Sequence, residues 1–150
     1  MKTHCRNLVI FPLLIMLAVA GERLPAAVSD QVVVVVNSSN GVANLSATDL
    51  QKIFLGEKNR WPDGKHILVL MGTPGSSERA TILKKVYKMS ESDYVKYFIQ
   101  ASFTGEISAP PKDVSSAAQM KQLIAENPGA VGYLKQSDAD GSVKVVSTIP

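Results

Sequence analysis

Cysteine is almost missing from this 150-residue chain: Cys5 stands alone. It precedes the first apolar run, which is the wrong place for a lipid-bearing cysteine, and it leaves the folded part with no disulfide and no thiolate chemistry. Histidine is nearly as scarce. His4 lies at the extreme N-terminus, and His66 has neither a cysteine nor a second histidine to share a metal with, so no metal site is expected. Aromatic residues make up 6% of the chain, and only Lys84, Lys85 and Lys88 cluster among its lysines. That pattern is a solvated helix face rather than a basic, aromatic-laced surface, and no nucleic-acid partner is expected. Charge of one sign is not in excess either. The formal net charge is +3, and it falls to +1 without Lys2 and Arg6.

Those two residues belong to a leader. They form a positive n-region ahead of an apolar run, Leu8 to Ala20, of signal-peptide length and short for a membrane span. Ala18-Val19-Ala20 and Ala26-Ala27-Val28-Ser29 both fit a cleavage motif. The sequence thus predicts a signal peptide within residues 1–29, cleaved so that the mature chain starts near Gly21 or near Asp30. One exported, periplasmic-type domain follows over residues 30–150, with membrane contact only through the uncleaved leader. Roughly 120 residues are enough for one core and few for two.

Hydrophobic patterning places the elements. Val32 to Val36 is an uninterrupted valine run, expected to be a central strand buried on both faces and running parallel to its neighbours. Ser46 and Asp49 open a helix with Leu50, Ile53 and Phe54 on one face, stopped at Gly56. His66 to Met71 reads as a second strand. Ala80 to Tyr87 and a segment opened by Ser90 and Asp93 read as helices, the latter with Tyr94, Tyr97, Phe98 and Ala101 inward. Ser116 caps a fourth helix facing inward through Met120, Leu123 and Ile124. Ala130 to Leu134 and Val143 to Val146 are two more strands, the last at an edge; Gly105 to Val114 is ambiguous. Helices between strands imply an α/β fold, a sandwich with helices on both sheet faces.

The stretch that points to function is Gly72-Thr73-Pro74-Gly75-Ser76-Ser77-Glu78-Arg79, between the second strand and a helix. A Gly/Ser loop in that setting aims unpaired N–H groups at one spot, where the helix dipole favours negative charge. The reading is a small-oxyanion site using Thr73, Gly75, Ser76, Ser77 and Arg79. The competing reading is an ordinary serine-capped turn. Glu78 opposes the first, because a carboxylate in the first helical turn takes the same potential. The loop has neither the Lys-Ser/Thr ending of a P-loop nor the three-glycine dinucleotide fingerprint, so no cofactor is expected. A serine triad would need His66 as its base, about 20 Å away at the other end of the strand. No enzyme is expected.

The ordered set Leu45-Ser46, Ile53-Phe54-Leu55-Gly56, Trp61-Pro62-Asp63-Gly64, the strand and Gly/Ser loop, Phe103-Thr104-Gly105 and Asn127-Pro128-Gly129-Ala130-Val131-Gly132-Tyr133 resembles the phosphate-binding proteins of ABC importers. It is closest to short, single-domain members of that periplasmic-binding-protein-like superfamily, over about Gln31 to Val146. The resemblance implies the type II periplasmic-binding-protein fold, a three-layer α/β/α sandwich. Full-length members have two such domains with phosphate between them, and this chain corresponds to the second. It also implies that the loop contacts the anion. Gly75 and Ser76 match the family's Arg-x-Asp-Gly-Ser-Gly-Thr pattern. Gly72, Pro74, Ser77 and Glu78 replace its arginine, aspartate, second glycine and threonine. The lost arginine removes a contact of about 1.5–3 kcal/mol. Phe54, Trp61 and Phe103 are expected in core and interdomain-type packing.

The expected function is therefore an exported, non-catalytic, phosphate-transporter-like solute-binding domain with weak or altered binding of phosphate or another small oxyanion. The alternative is an interaction module of the cell envelope that keeps the fold without the ligand and associates with itself or with a second envelope protein.

Overall fold

The computed structural model describes residues 31–150. The expected leader, with Cys5 and the two candidate cleavage motifs, lies outside the described residues. The elements are β1 (Val32–Asn37), α1 (Ala47–Phe54), β2 (Leu68–Met71), α2 (Ser77–Ile82), α3 (Glu91–Thr104), β3 (Lys112–Asp113), α4 (Ala117–Glu126), β4 (Ala130–Lys135) and β5 (Val143–Ile149). A π-helical turn, Leu83–Tyr87, prolongs α2, and a 3-10 turn, Gln136–Asp138, follows β4.

The strands form one sheet in the order β3-β2-β4-β1-β5. All five valines of β1 are buried, as a run without alternation requires. The expected parallel direction is overturned: β1 is antiparallel to both β4 and β5. Burial on two faces reports centrality and says nothing about chain direction. The parallel part is β3-β2-β4, and β3 emerges from the segment that sequence left ambiguous. β2 begins at Leu68, two residues later than expected, because His66 pairs only with Arg60 in an isolated bridge and is exposed.

Helix starts follow local chemistry. Ser46, Ser76, Ser90 and Ser116 are all N-caps, each accepting the amide three residues on. α4 covers one sheet face, where Gly132 lies under Met120 and Ile124 with no space for a Cβ. α2 packs on the same two strands, β1 and β4. Tyr87, at the end of the π-turn, then joins α1 to α3 by edge contacts with Phe54, Tyr94 and Phe98.

Two sequence motifs meet across the core. The Trp61 indole N–H donates to the Gly129 carbonyl at 3.0 Å, and the Leu68 amide donates to the same oxygen at 3.0 Å. A Cβ on Gly129 would collide with the His66 carbonyl oxygen, so only glycine lets the β4 entry approach β2 this closely. Phe54 and Trp61 are buried as expected. Phe103 is not in the core: it lies on the outer face of α3 and is 90% exposed.

Candidate functional site

At the C-terminal end of β2 the chain turns through Gly72–Ser76 into α2. Gly75 adopts a φ of +86°, which a side chain would strain, and this reversal seats Ser76 as the cap. The Ser76 amide donates to the Thr73 carbonyl at 3.2 Å, and the Ser76 hydroxyl accepts from the Arg79 amide at 3.3 Å. The Thr73 hydroxyl faces the Val114 and Ser115 carbonyls, the latter at 3.2 Å, and so ties the loop to the start of α4. The Ser77 hydroxyl donates to Glu78 Oε2 at 3.0 Å. The amides of Gly75, Ser77 and Glu78 have no protein acceptor among the described residues.

Arg79 stands apart from the role expected of it. It is buried, at 2% exposure. Its Nε and Nη2 donate to the two Glu91 oxygens at 3.0 and 2.6 Å, and its Nη1 donates to Asp113 at 2.8 Å and to the Gly72 carbonyl at 2.7 Å. The guanidinium also lies 5.0 Å from the centre of the Tyr94 ring. Burial disfavours its charge, but the Glu91 and Asp113 carboxylates outweigh that, so its pKa is raised further. This is a bidentate clamp joining β2, α2, α3 and β3. Four of the five N–H donors of Arg79, the guanidinium that the sequence offers as an anion ligand, are bonded within the fold.

On the other side of the loop is a notch of about 50 Å³, lined by Gly72, Thr73, Ser76 and Glu78, by Ser116, Ala117 and Met120 of α4 and its cap, and by Tyr133, Leu134 and Lys135 of β4. Its size suits one small ion, well below the roughly 300–1,000 Å³ of organic-ligand clefts. Tyr133, Lys135 and the start of α4 all border it. α4 presents its start, where the first-turn amides precede the helix's own bonding. The Tyr133 hydroxyl accepts the Gly72 amide at 2.8 Å, and its own proton has no acceptor among the described residues. Burial raises its pKa, so it remains a donor throughout the physiological range. Lys135 Nζ lies 3.7 Å from Glu78 Oε1.

Of the residues expected from sequence, the notch brings together Thr73 and Ser76. Gly75 borders a separate shallow groove beside Met89 and Glu91, and Ser77 bonds its neighbour. Tyr133 and Lys135 were not anticipated as site residues. The available signal was a lysine closing an otherwise apolar strand. A larger groove of about 250 Å³, lined by residues including Phe54, His66, Phe98 and Pro110–Pro111, opens by the N-terminal end of β2. Its walls are mainly apolar, as are those of the notch, and Lys58, Asn59, His66 and Ser108 supply its polar side chains.

The family model described as a PBP superfamily domain matches residues 23–147. The chain belongs to the PBP superfamily. The phosphate-binding protein PstS of Bacillus subtilis is 35% identical to this PBP-superfamily domain over 123 residues, covering 76% of this chain and 36% of PstS. Two solved structures share the fold. One is an ABC-type phosphate transport receptor from Vibrio cholerae, with 24% identity, a TM-score of 0.58, and coverage of 79% of this chain and 46% of the receptor. The other is PstS from Borrelia burgdorferi, with 17% identity, a TM-score of 0.59, and coverage of 79% and 47%. The chain thus spans between about a third and a half of these relatives, and its fold is that of phosphate-binding proteins.

Proposed function

We propose that this is an exported, non-catalytic solute-binding domain that takes phosphate or a related small oxyanion in the notch between the Gly72–Ser77 loop and the start of α4. The observation that carries this reading is the meeting, in one small concavity, of the Tyr133 O–H, the Lys135 ammonium and the N-terminal end of α4, within a fold whose relatives are named for phosphate. Thr73 and Ser76 shape the loop. Gly75 sets the turn that seats Ser76, and Ser77 bonds Glu78; neither lines the notch. Arg79 holds the loop in place from behind and does not touch the ion. Binding is weak, because the described residues form one wall and a carboxylate, Glu78, shares it.

Amide chemical shifts recorded during a phosphate titration test the reading. Saturable shifts at Thr73, Ser76, Ala117 and Lys135 are expected, and their absence at millimolar phosphate would refute it. Export is checked by the mass of the mature protein recovered from an envelope fraction, expected to start near Gly21 or Asp30.

One feature favours a second reading, the ligand-free interaction module. Val95, Ile99 and Phe103 are 47, 55 and 90% exposed and recur at four-residue spacing on α3. Sedimentation of the wild-type chain against Phe103→Ser separates the two. A phosphate-silent protein whose self-association is lost in the variant supports the module.

A further inference from the structure

The notch contains a negative group of its own. Glu78, the second residue of α2, lines the cavity with only 24% of its side chain exposed. One of its oxygens faces Lys135 at 3.7 Å, and the other accepts the Ser77 hydroxyl at 3.0 Å. The Tyr133 hydroxyl, whose proton has no acceptor among the described residues, and the start of α4 border the same notch, whose remaining wall is apolar through Met120 and Leu134. A carboxylate beside the single ammonium lining the notch occupies the electrostatic position that an incoming oxyanion requires. We propose that Glu78 is a tethered competitor: it holds Lys135 while the notch is empty, and an oxyanion enters by displacing it. This inference rests on the reading of the notch as an anion site and adds what regulates it.

The physical consequence is specific. Lys135 and Glu78 cancel in charge, so the empty notch attracts an anion only through its N–H and O–H dipoles. Binding exchanges one anion for another at Lys135. A covalently attached carboxylate competes at high effective concentration, so affinity stays low even with every donor in place. Neutralising the tether while keeping its shape should release Lys135 to the ligand.

The test is calorimetric titration of inorganic phosphate into the full chain, using wild type, Glu78→Gln, Lys135→Gln and the double variant. The expected result is an affinity at least about tenfold higher in Glu78→Gln, with that gain shrinking below about threefold when Lys135 is also replaced. Equal binding by wild type and Glu78→Gln overturns the competitor and leaves the anion site standing. An equal gain in both lysine backgrounds also overturns it, because the carboxylate would then act by general repulsion and not by holding Lys135. If neither wild type nor Glu78→Gln binds at millimolar phosphate, the anion site fails and this inference fails with it. Glu78→Gln lies at a partly exposed helix start and is expected to fold; an amide spectrum superimposable on wild type outside the notch confirms that before titration.

Discussion

The Gly72–Arg79 segment has two sides, and they are built to opposite rules. Behind it, Arg79 is buried and four of its N–H groups are bonded to Glu91, Asp113 and the Gly72 carbonyl. In front, Tyr133 keeps a proton with no acceptor among the described residues, and Lys135 meets Glu78 only at 3.7 Å. A satisfied polar cluster fixes a conformation, whereas an incompletely satisfied one is a place for something else to bind. The arginine of the loop motif is bonded within the scaffold, and the groups proposed to face a ligand lie on β4, about 60 residues further along the chain.

This contrast can be broken from the rear first. Arg79→Met should lower stability by about 2–3 kcal/mol in urea unfolding. The figure is below that of a fully buried pair because Glu91 and Asp113 remain partly in water. A loss below about 0.5 kcal/mol would remove the clamp from the account. Tyr133→Phe touches both sides. It deprives the Gly72 amide of its acceptor, for about 1–2 kcal/mol, and it should weaken phosphate binding as well. A stability loss with unchanged binding would take the hydroxyl out of the site. Lys135→Gln acts only in front: stability should stay within about 0.5 kcal/mol of wild type while phosphate affinity falls about tenfold.

The smallest effect lies away from the loop and calibrates the rest. The Lys121 ammonium, followed by the Ser142 hydroxyl and amide, holds the Asp140 carboxyl well below the usual carboxylate range. A carboxyl depressed in the folded state contributes stability above its ordinary pKa near 4 and loses that contribution as pH falls toward the folded value. Asp140→Asn should therefore lower the melting temperature slightly at neutral pH, with the gap closing below about pH 4. A gap that widens in acid would contradict the assignment.

What the sequence made legible was what neighbouring residues decide. The serine caps at Ser46, Ser90 and Ser116, the apolar faces of α1 and α3, and the burial of the β1 valines all depend on residues within a turn or two. The direction of β1 did not show, because it is set by pairing with Leu134 and Thr148, far along the chain. The surroundings of Arg79 do not show in sequence for the same reason. Its partners are 12 and 34 residues away, and a guanidinium beside a Gly/Ser loop looks the same in sequence whether it faces a ligand or Glu91. Phe103 shows the limit from the other direction: it sits beside a buried helix face yet points outward. Trp61 and Gly129 stand in separate motifs of the sequence, and their hydrogen bond makes them one contact.

The most direct test of the two-sided loop is a phosphate titration followed at individual amides and side chains. The account predicts saturable shifts at Ala117, Lys135 and the Tyr133 hydroxyl, with Glu91, Asp113 and the Arg79 side-chain N–H signals unmoved. Shifts centred on Arg79 and its carboxylates, with the notch silent, would contradict it.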